Sequence, residues 1–305
     1  MKIAALIRNF ERRSARLPRP QLRTDSVSFD IVKYDSARAF LARASGWLLK
    51  AEADNNLILS IARRSDASDE ADDDSLFATI ESEGYIVGCL FRTPPYKLGL
   101  TSVPLKAIPV LAEAVGEQYE TLPGVLGPRE EARYFARTWC GPRALSFRPV
   151  MDQRIYALEE LVEPDSWPAG SLRMATESDY ELIIDWLRHF FEETRMPVRN
   201  AEDIASRLVP AGEMSLWIAD GVEVSMAGIT GRTPHGARIG FVYTPPDYRK
   251  RGYATAVTAA LTRSVLAEGR LRCYLFTDAS NPTSNRIYQN LGYRAVGDVV
   301  DYQFF

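Results

Sequence analysis

The chain of 305 residues has only three cysteines, Cys89, Cys140 and Cys273, and two histidines, His189 and His235. There is no C-x-x-C pair and one cysteine is left over from any pairing, which argues against a disulfide framework and fits a reducing, cytoplasmic compartment. Two histidines need cysteine partners to complete a zinc site, and the cysteines are scattered, so no metal is expected. No run approaches the ~20 apolar residues that cross a bilayer. The start also lacks the order of a secretory signal, so no membrane partner is expected. Neither sign of charge is in excess: 37 Lys+Arg stand against 40 Asp+Glu, for a net −3. That balance gives nucleic-acid binding no support. What is present is 46% hydrophobic residues over a length that fits about two domains, enough for buried cores.

Taken in order, residues 1–26 carry arginines around Ile3, Leu6, Ile7 and Phe10 and are closed by Pro18 and Pro20. The apolar face is too short for a convincing membrane-surface helix, so the segment reads as a flexible extension. A strand follows at 29–32, then a helix capped by Asp35 or Ser36 and containing Phe40, Leu41, Trp47 and Leu48, then a second helix at 55–62. The acidic run 66–74 reads as a solvated loop. Strands at 77–81 and 85–91, helices at 104–119 and 130–139, and a strand at 154–158 complete the first half. After residue 165 the order recurs: strand 172–174, helices 177–191 and 201–208, and a hairpin of 214–219 with 222–230 about the turn dipeptide Asp220-Gly221. Gly88, Arg92, Thr93 and Pro94 recur as Gly228, Arg232, Thr233 and Pro234, an offset of 140 at the same place in the element order. The chain therefore reads as two copies of one fold, 27–165 and 166–305.

The second copy holds the chemistry. An apolar strand ending in Phe241, Val242 and Tyr243 leads through a proline turn to Arg249-Lys250-Arg251-Gly252-Tyr253-Ala254-Thr255 and then an amphipathic helix. The first turn of a helix has N–H groups without intrahelical partners and a partial positive charge, so an anion is its natural occupant. Gly252 lets backbone approach that anion, Ala254 keeps the next contact small, and Arg249 and Arg251 add charge. The expected ligand group is a pyrophosphate.

Further along, Asn281-Pro282-Thr283-Ser284-Asn285 opens a helix that carries Tyr288 and stops at Gly292. Together, R-x-x-G-x-A after a strand and N-x-x-S-N-x-x-Y-x-x-x-G-Y resemble the acetyl-CoA-binding core of the GNAT superfamily of N-acetyltransferases, over roughly 171–305. The resemblance implies an α/β fold, in tandem, each copy a mixed, mostly antiparallel sheet flanked by helices. It implies that Phe241, Val242 and Tyr243 hold the pantetheine arm of acetyl-CoA with their backbone. Residues 249–255 would hold the pyrophosphate, with Asn281, Ser284 and Asn285 along the arm. Tyr288 would act as the acid towards the departing thiol. An unperturbed phenol titrates above a thiol, so that role is mainly a hydrogen bond to developing charge on sulfur. The strand before the loop has no glutamate to serve as base; Glu192, Glu193 and a water chain stay open. The first copy has no glycine or arginine at 100–106, and resembles a degenerate GNAT domain without cofactor. The expected acceptor is a small-molecule amine or a protein amino group, used by a monomer or homodimer. A non-catalytic acetyl-CoA sensor is the alternative.

Overall fold

The computed structural model describes residues 28–68, 74–194 and 200–305. The N-terminal extension and much of the acidic run lie outside them. The described chain builds a first half from β1 (Asp30–Tyr34), α1 (Ala37–Leu48), α2 (Asn56–Ala67), β2 (Leu76–Ser82), β3 (Tyr85–Arg92), β4 (Leu98–Leu100), α3 (Ile108–Gly116), β5 (Gly124–Pro128), α4 (Arg129–Cys140) and β6 (Phe147–Leu158). The second half is β7 (Ser171–Met174), α5 (Tyr180–Thr194), α6 (Ala201–Leu208), β8 (Met214–Ala219), β9 (Val222–Arg232), β10 (Gly236–Tyr243), α7 (Tyr253–Ala267), β11 (Arg272–Asp278), α8 (Pro282–Asn290) and β12 (Arg294–Phe304).

Local rules account for most of these elements. The Ser36 side chain accepts the Ala39 N–H and starts α1, whose Ala37, Phe40, Ala44 and Leu48 then fall on one buried face. β2 is buried on both sides: Leu76, Ala78 and Ile80 join the core under α3 and α4, and Phe77 the core under α1 and α2. Asp220 and Gly221 turn the β8–β9 hairpin with positive φ at both positions, 51° and 78°. The offset-140 echo falls at the end of the third strand of each half, β3 and β9.

The two halves share one twelve-stranded sheet in the order β1-β2-β3-β4-β5-β12-β6-β11-β10-β9-β8-β7. Each half gives its last strand away. β12 pairs antiparallel with β5 of the first half, and β6 lies between β12 and β11 of the second. β4 and β5 are strands that the sequence pattern does not display. β4 has three residues with a central glycine, and β5 is bounded by Gly124, Gly127 and Pro128. Gly124 is needed where it stands, because a Cβ there would lie 2.0 Å from the Tyr302 carbonyl oxygen of β12.

Polar contacts hold α2 against the second half. The buried Arg238 guanidinium on β10 donates to Asn56 Oδ1 (2.8 Å) and Ser60 Oγ (3.1 Å). The buried Glu52 carboxylate accepts the His235 N–H and lies 2.8 Å from His235 Nδ1. The three cysteines are free and buried. Among the described residues no helix is long and apolar enough to cross a membrane.

Candidate functional site

β10 and β11 run parallel and paired only from Gly236 with Arg272 to Ile239 with Leu275. Beyond that point β10 continues to Tyr243 and β11 to Asp278 without pairing to each other, leaving a notch. Its cause is a bulge: on the other edge of β10, Gly240 pairs with Gly228 but Tyr243 with Met226, so β10 fits one extra residue into the ladder. Phe241 absorbs the distortion at φ 52°. A left-handed conformation costs a residue with a Cβ roughly 1–2 kcal/mol, and it is kept here by packing. The Phe241 ring meets Phe190 and Phe191 of α5 edge-on at 5.7 and 6.0 Å, while Val242 packs on the opposite side, toward α7. On the β11 side, 241–243 thus have no strand partner, the condition under which an extended ligand arm can dock as an added strand.

The notch runs into the start of α7. Lys250 and Gly252 have positive φ, 63° and 85°, and Gly252 is the N-cap with no side-chain cap. A Cβ at Gly252 would meet nothing nearer than Pro168 at 3.8 Å, so the glycine answers to its φ and not to crowding. Among the described residues the first-turn N–H groups of α7 have no side-chain acceptor. Lys250 and Arg251 are exposed beside them. Arg249 is placed differently from the sequence expectation: its Nη2 bonds both oxygens of Glu193 (2.6 and 2.7 Å) and its Nε donates to the Thr244 carbonyl. Its charge is thereby shared with α5, and Glu193 is held in an ion pair instead of standing free as a base. Glu192 is exposed.

At the start of α8 the asparagine side chains are engaged within the protein. Asn281 Oδ1 accepts the N–H groups of Thr283 and Ser284, both at 3.1 Å. Asn285 Nδ2 donates to the carbonyls of Asn281 (2.6 Å) and Asp278 (3.0 Å). Between the first turns of α7 and α8 opens a cleft of about 400 Å³, lined by Thr255, Pro282, Thr283, Arg286, Ile287 and Asn290. Arg286 is the cation that sequence reasoning passed over. It sits inside the second motif, and its position on the exposed side of α8 was the available signal.

Tyr288, next in sequence to the cleft-lining Ile287, is buried in the core under α7 and α8, its ring 6.4 Å from that of Tyr156 and 6.1 Å from that of Tyr293. Burial pushes its phenol up to about 12, with no hydrogen bond from the described residues opposing the shift. The hydroxyl therefore stays protonated across the working range and can donate a hydrogen bond. The residues present fit an acyl-CoA: an open strand edge for the arm, an uncapped helix start for phosphate, a cleft for the remainder and a protonated phenol on α8.

Residues 216–301 match the FR47-like protein family. Over nearly its whole length the described chain is similar in fold to solved structures at low identity. One is a GCN5-related N-acetyltransferase from Sphaerobacter thermophilus, 17% identical with a TM-score of 0.59, covering 91% of this chain and 95% of that one. A Drosophila protein is 11% identical with a TM-score of 0.66, covering 92% and 99%. A tandem GNAT protein from the clavulanic acid biosynthesis pathway is 12% identical with a TM-score of 0.51, covering 91% and 98%. The chain has the fold of the tandem GNAT structures, and residues 216–301 of its C-terminal half are similar to the FR47-like family.

Proposed function

We propose that the chain is an acetyl-CoA-dependent N-acetyltransferase with one working site, in the 166–305 half, and a first half, 27–165, that binds no cofactor. The observation that carries this reading is the unpaired stretch of β10 leading straight into the glycine-capped start of α7. Backbone of Phe241, Val242 and Tyr243 would hold the pantetheine arm. The N–H groups of Gly252, Tyr253, Ala254 and Thr255, with Lys250 and Arg251, would hold the pyrophosphate. Asn281 and Asn285 serve by shaping the start of α8, and the Ser284 hydroxyl is the polar group beside the arm.

Acetyl-CoA supplies the activated acyl group. The amine nitrogen of the acceptor bonds to the acetyl carbon, the carbon–sulfur bond breaks, and the electron pair leaves on sulfur. Tyr288 donates a hydrogen bond to that sulfur. A phenol pushed up to about 12 does not surrender its proton to a thiolate near ~8.5, so it acts by stabilising the charge. The proton lost by the amine goes to water, since Glu193 is bound to Arg249.

The test is release of free CoA in the presence of a panel of small amines and peptides with free amino groups. Turnover with at least one acceptor is expected, and Tyr288→Phe should lower kcat by about ten-fold or more with acetyl-CoA affinity nearly unchanged. Tight acetyl-CoA binding without turnover would favour a sensor, a reading that the engaged Glu193 supports. An unaltered kcat, where chemistry limits turnover, would reduce Tyr288 to a packing residue.

A further inference from the structure

Tyr156 comes from the half that lacks a site, yet it ends beside Tyr288. It sits on the exchanged strand β6, in register with Leu275 of β11 on one side and Ala295 of β12 on the other, and is fully buried. Its hydroxyl donates to Asn285 Oδ1 at 3.0 Å and accepts from Gln289 Nε2 at 3.1 Å. Asn285 and Gln289 are four residues apart and so share one face of α8, with Tyr288 on the turn between them. Asn285 then carries the connection to the helix start through the Asn281 and Asp278 carbonyls.

We infer that Tyr156 is a positioning residue, lent by the N-terminal half, that fixes the rotation of α8 and thereby the place of the Tyr288 hydroxyl at the acyl-CoA sulfur. This rests on the role of Tyr288 proposed above. A nine-residue helix capped at one end has few restraints on rotation about its axis, and a small rotation swings a tyrosine hydroxyl out of hydrogen-bond reach of a fixed sulfur. One buried phenol bonded to two adjacent turns removes that freedom. The inference also gives the cofactor-less half a reason to stay: its last strand completes the site of the other.

The test needs no knowledge of the acceptor. Calorimetry compares CoA with desulfo-CoA, which lacks the thiol, on the full-length protein at about pH 9, where an ordinary thiol is largely ionised. The ratio of the two affinities reads the contact to sulfur. Wild type should prefer CoA by about ten-fold, the scale of a hydrogen bond to a charged group, and Tyr288→Phe should abolish that preference. Tyr156→Phe and Gln289→Leu should each reduce it several-fold while leaving desulfo-CoA affinity unchanged. The Tyr156→Phe/Tyr288→Phe double variant should show no further loss beyond Tyr288→Phe, because both act on one contact. A merely structural Tyr156 would weaken both ligands alike. If Tyr288→Phe loses the preference while Tyr156→Phe and Gln289→Leu keep it, the positioning role is overturned and the role of Tyr288 stands. If Tyr288→Phe keeps it, both fall, and that single variant reveals it. Gln289 is exposed, so its variant carries the test should Tyr156→Phe fail to fold.

Discussion

The two halves run through the same elements, yet only one opens between its fourth and fifth strands. In the N-terminal half the ladder of β3 with β4 pairs Leu90 with Leu100 and continues through Thr101, whose N–H donates to the Cys89 carbonyl and whose hydroxyl accepts the Cys89 N–H. No residue bulges. β4 stays against β5, so closely that a Cβ on Gly127 would lie 3.0 Å from that of Leu100. In the C-terminal half, one extra residue in β10 breaks the ladder to β9, and the edge facing β11 comes free. The chain then enters α3 through Pro104 without a left-handed residue in the first half, and α7 through Gly252 at φ 85° in the second. Register shifts along β10 and a left-handed glycine thus distinguish the second half from the first on the same element order.

The strongest challenge to this division is to cut it. A fragment of residues 166–305 loses β6, the common neighbour of β11 and β12, and also β5, the other neighbour of β12. Three unpaired edges, both of β12 and one of β11, and an exposed core face remain. Thermal unfolding followed by circular dichroism should show no cooperative transition for the fragment. A folded fragment that binds acetyl-CoA would make the exchanged strand dispensable.

Next in size is the phosphate loop. Gly252→Asp should weaken acetyl-CoA binding by about 100-fold or more, because it sets a carboxylate at the anion site in a backbone conformation that glycine tolerates best. Gly252→Ala adds only the left-handed strain of roughly 1–2 kcal/mol and should cost far less affinity. Equal loss in both would mean that conformation, and not charge, decides. The same calorimetry should give one acetyl-CoA per chain. Two binding events would put a second site in the half where Leu100 and Gly127 close the sheet.

The smallest effect concerns how each half starts its first helix. The first half relies on the Ser36 cap alone, whereas the second uses a charged cluster. There the Asp179 carboxylate accepts from Arg173 at 2.8 and 3.0 Å and from the Thr176 N–H at 2.7 Å, and Glu223 accepts from the same guanidinium. Chiefly through Arg173, Asp179 is lowered to about 2. A depressed carboxyl contributes stability that is present above its ordinary value near ~3.9 and lost as pH falls through the folded value. With half-exposed partners discounted, Asp179→Asn should cost about 1–2 kcal/mol at neutral pH. Between about pH 4 and 2 the variant and parent should converge. Urea denaturation across that range checks it, and a constant difference down to the lowest pH would assign the loss to the hydrogen bonds and not to charge.

Much of this was legible in order along the chain. The helices with buried faces at helical spacing, the Asp220-Gly221 hairpin and the echo of Gly88 in Gly228 all rest on contacts between near neighbours, which consecutive residues encode. So does the glycine at the start of α7. The candidate site was legible as far as its backbone: the strand end at Phe241, Val242 and Tyr243 and the glycine at 252 stand where the sequence pattern puts them. It was less legible in its side chains. Nothing near Arg249 announces Glu193, which belongs to a helix ending before the hairpin; Asn281 turns out to cap α8, and Asn285 to tie its start to β11 and β6.

The sequence by itself determined two similar halves, where each helix begins, and the one place where a glycine-led helix follows an apolar strand, because those depend on local conformation and period. Only the tertiary structure decided that the halves exchange β6 and β12 within one sheet. Only there do β4 and β5 become strands and does Tyr156 meet α8. A strand rich in glycine and proline has no propensity to announce it; it is a strand because β12 supplies its hydrogen bonds. Pairing of that kind is settled by which edges meet after the rest has folded, and no window of consecutive residues contains both edges.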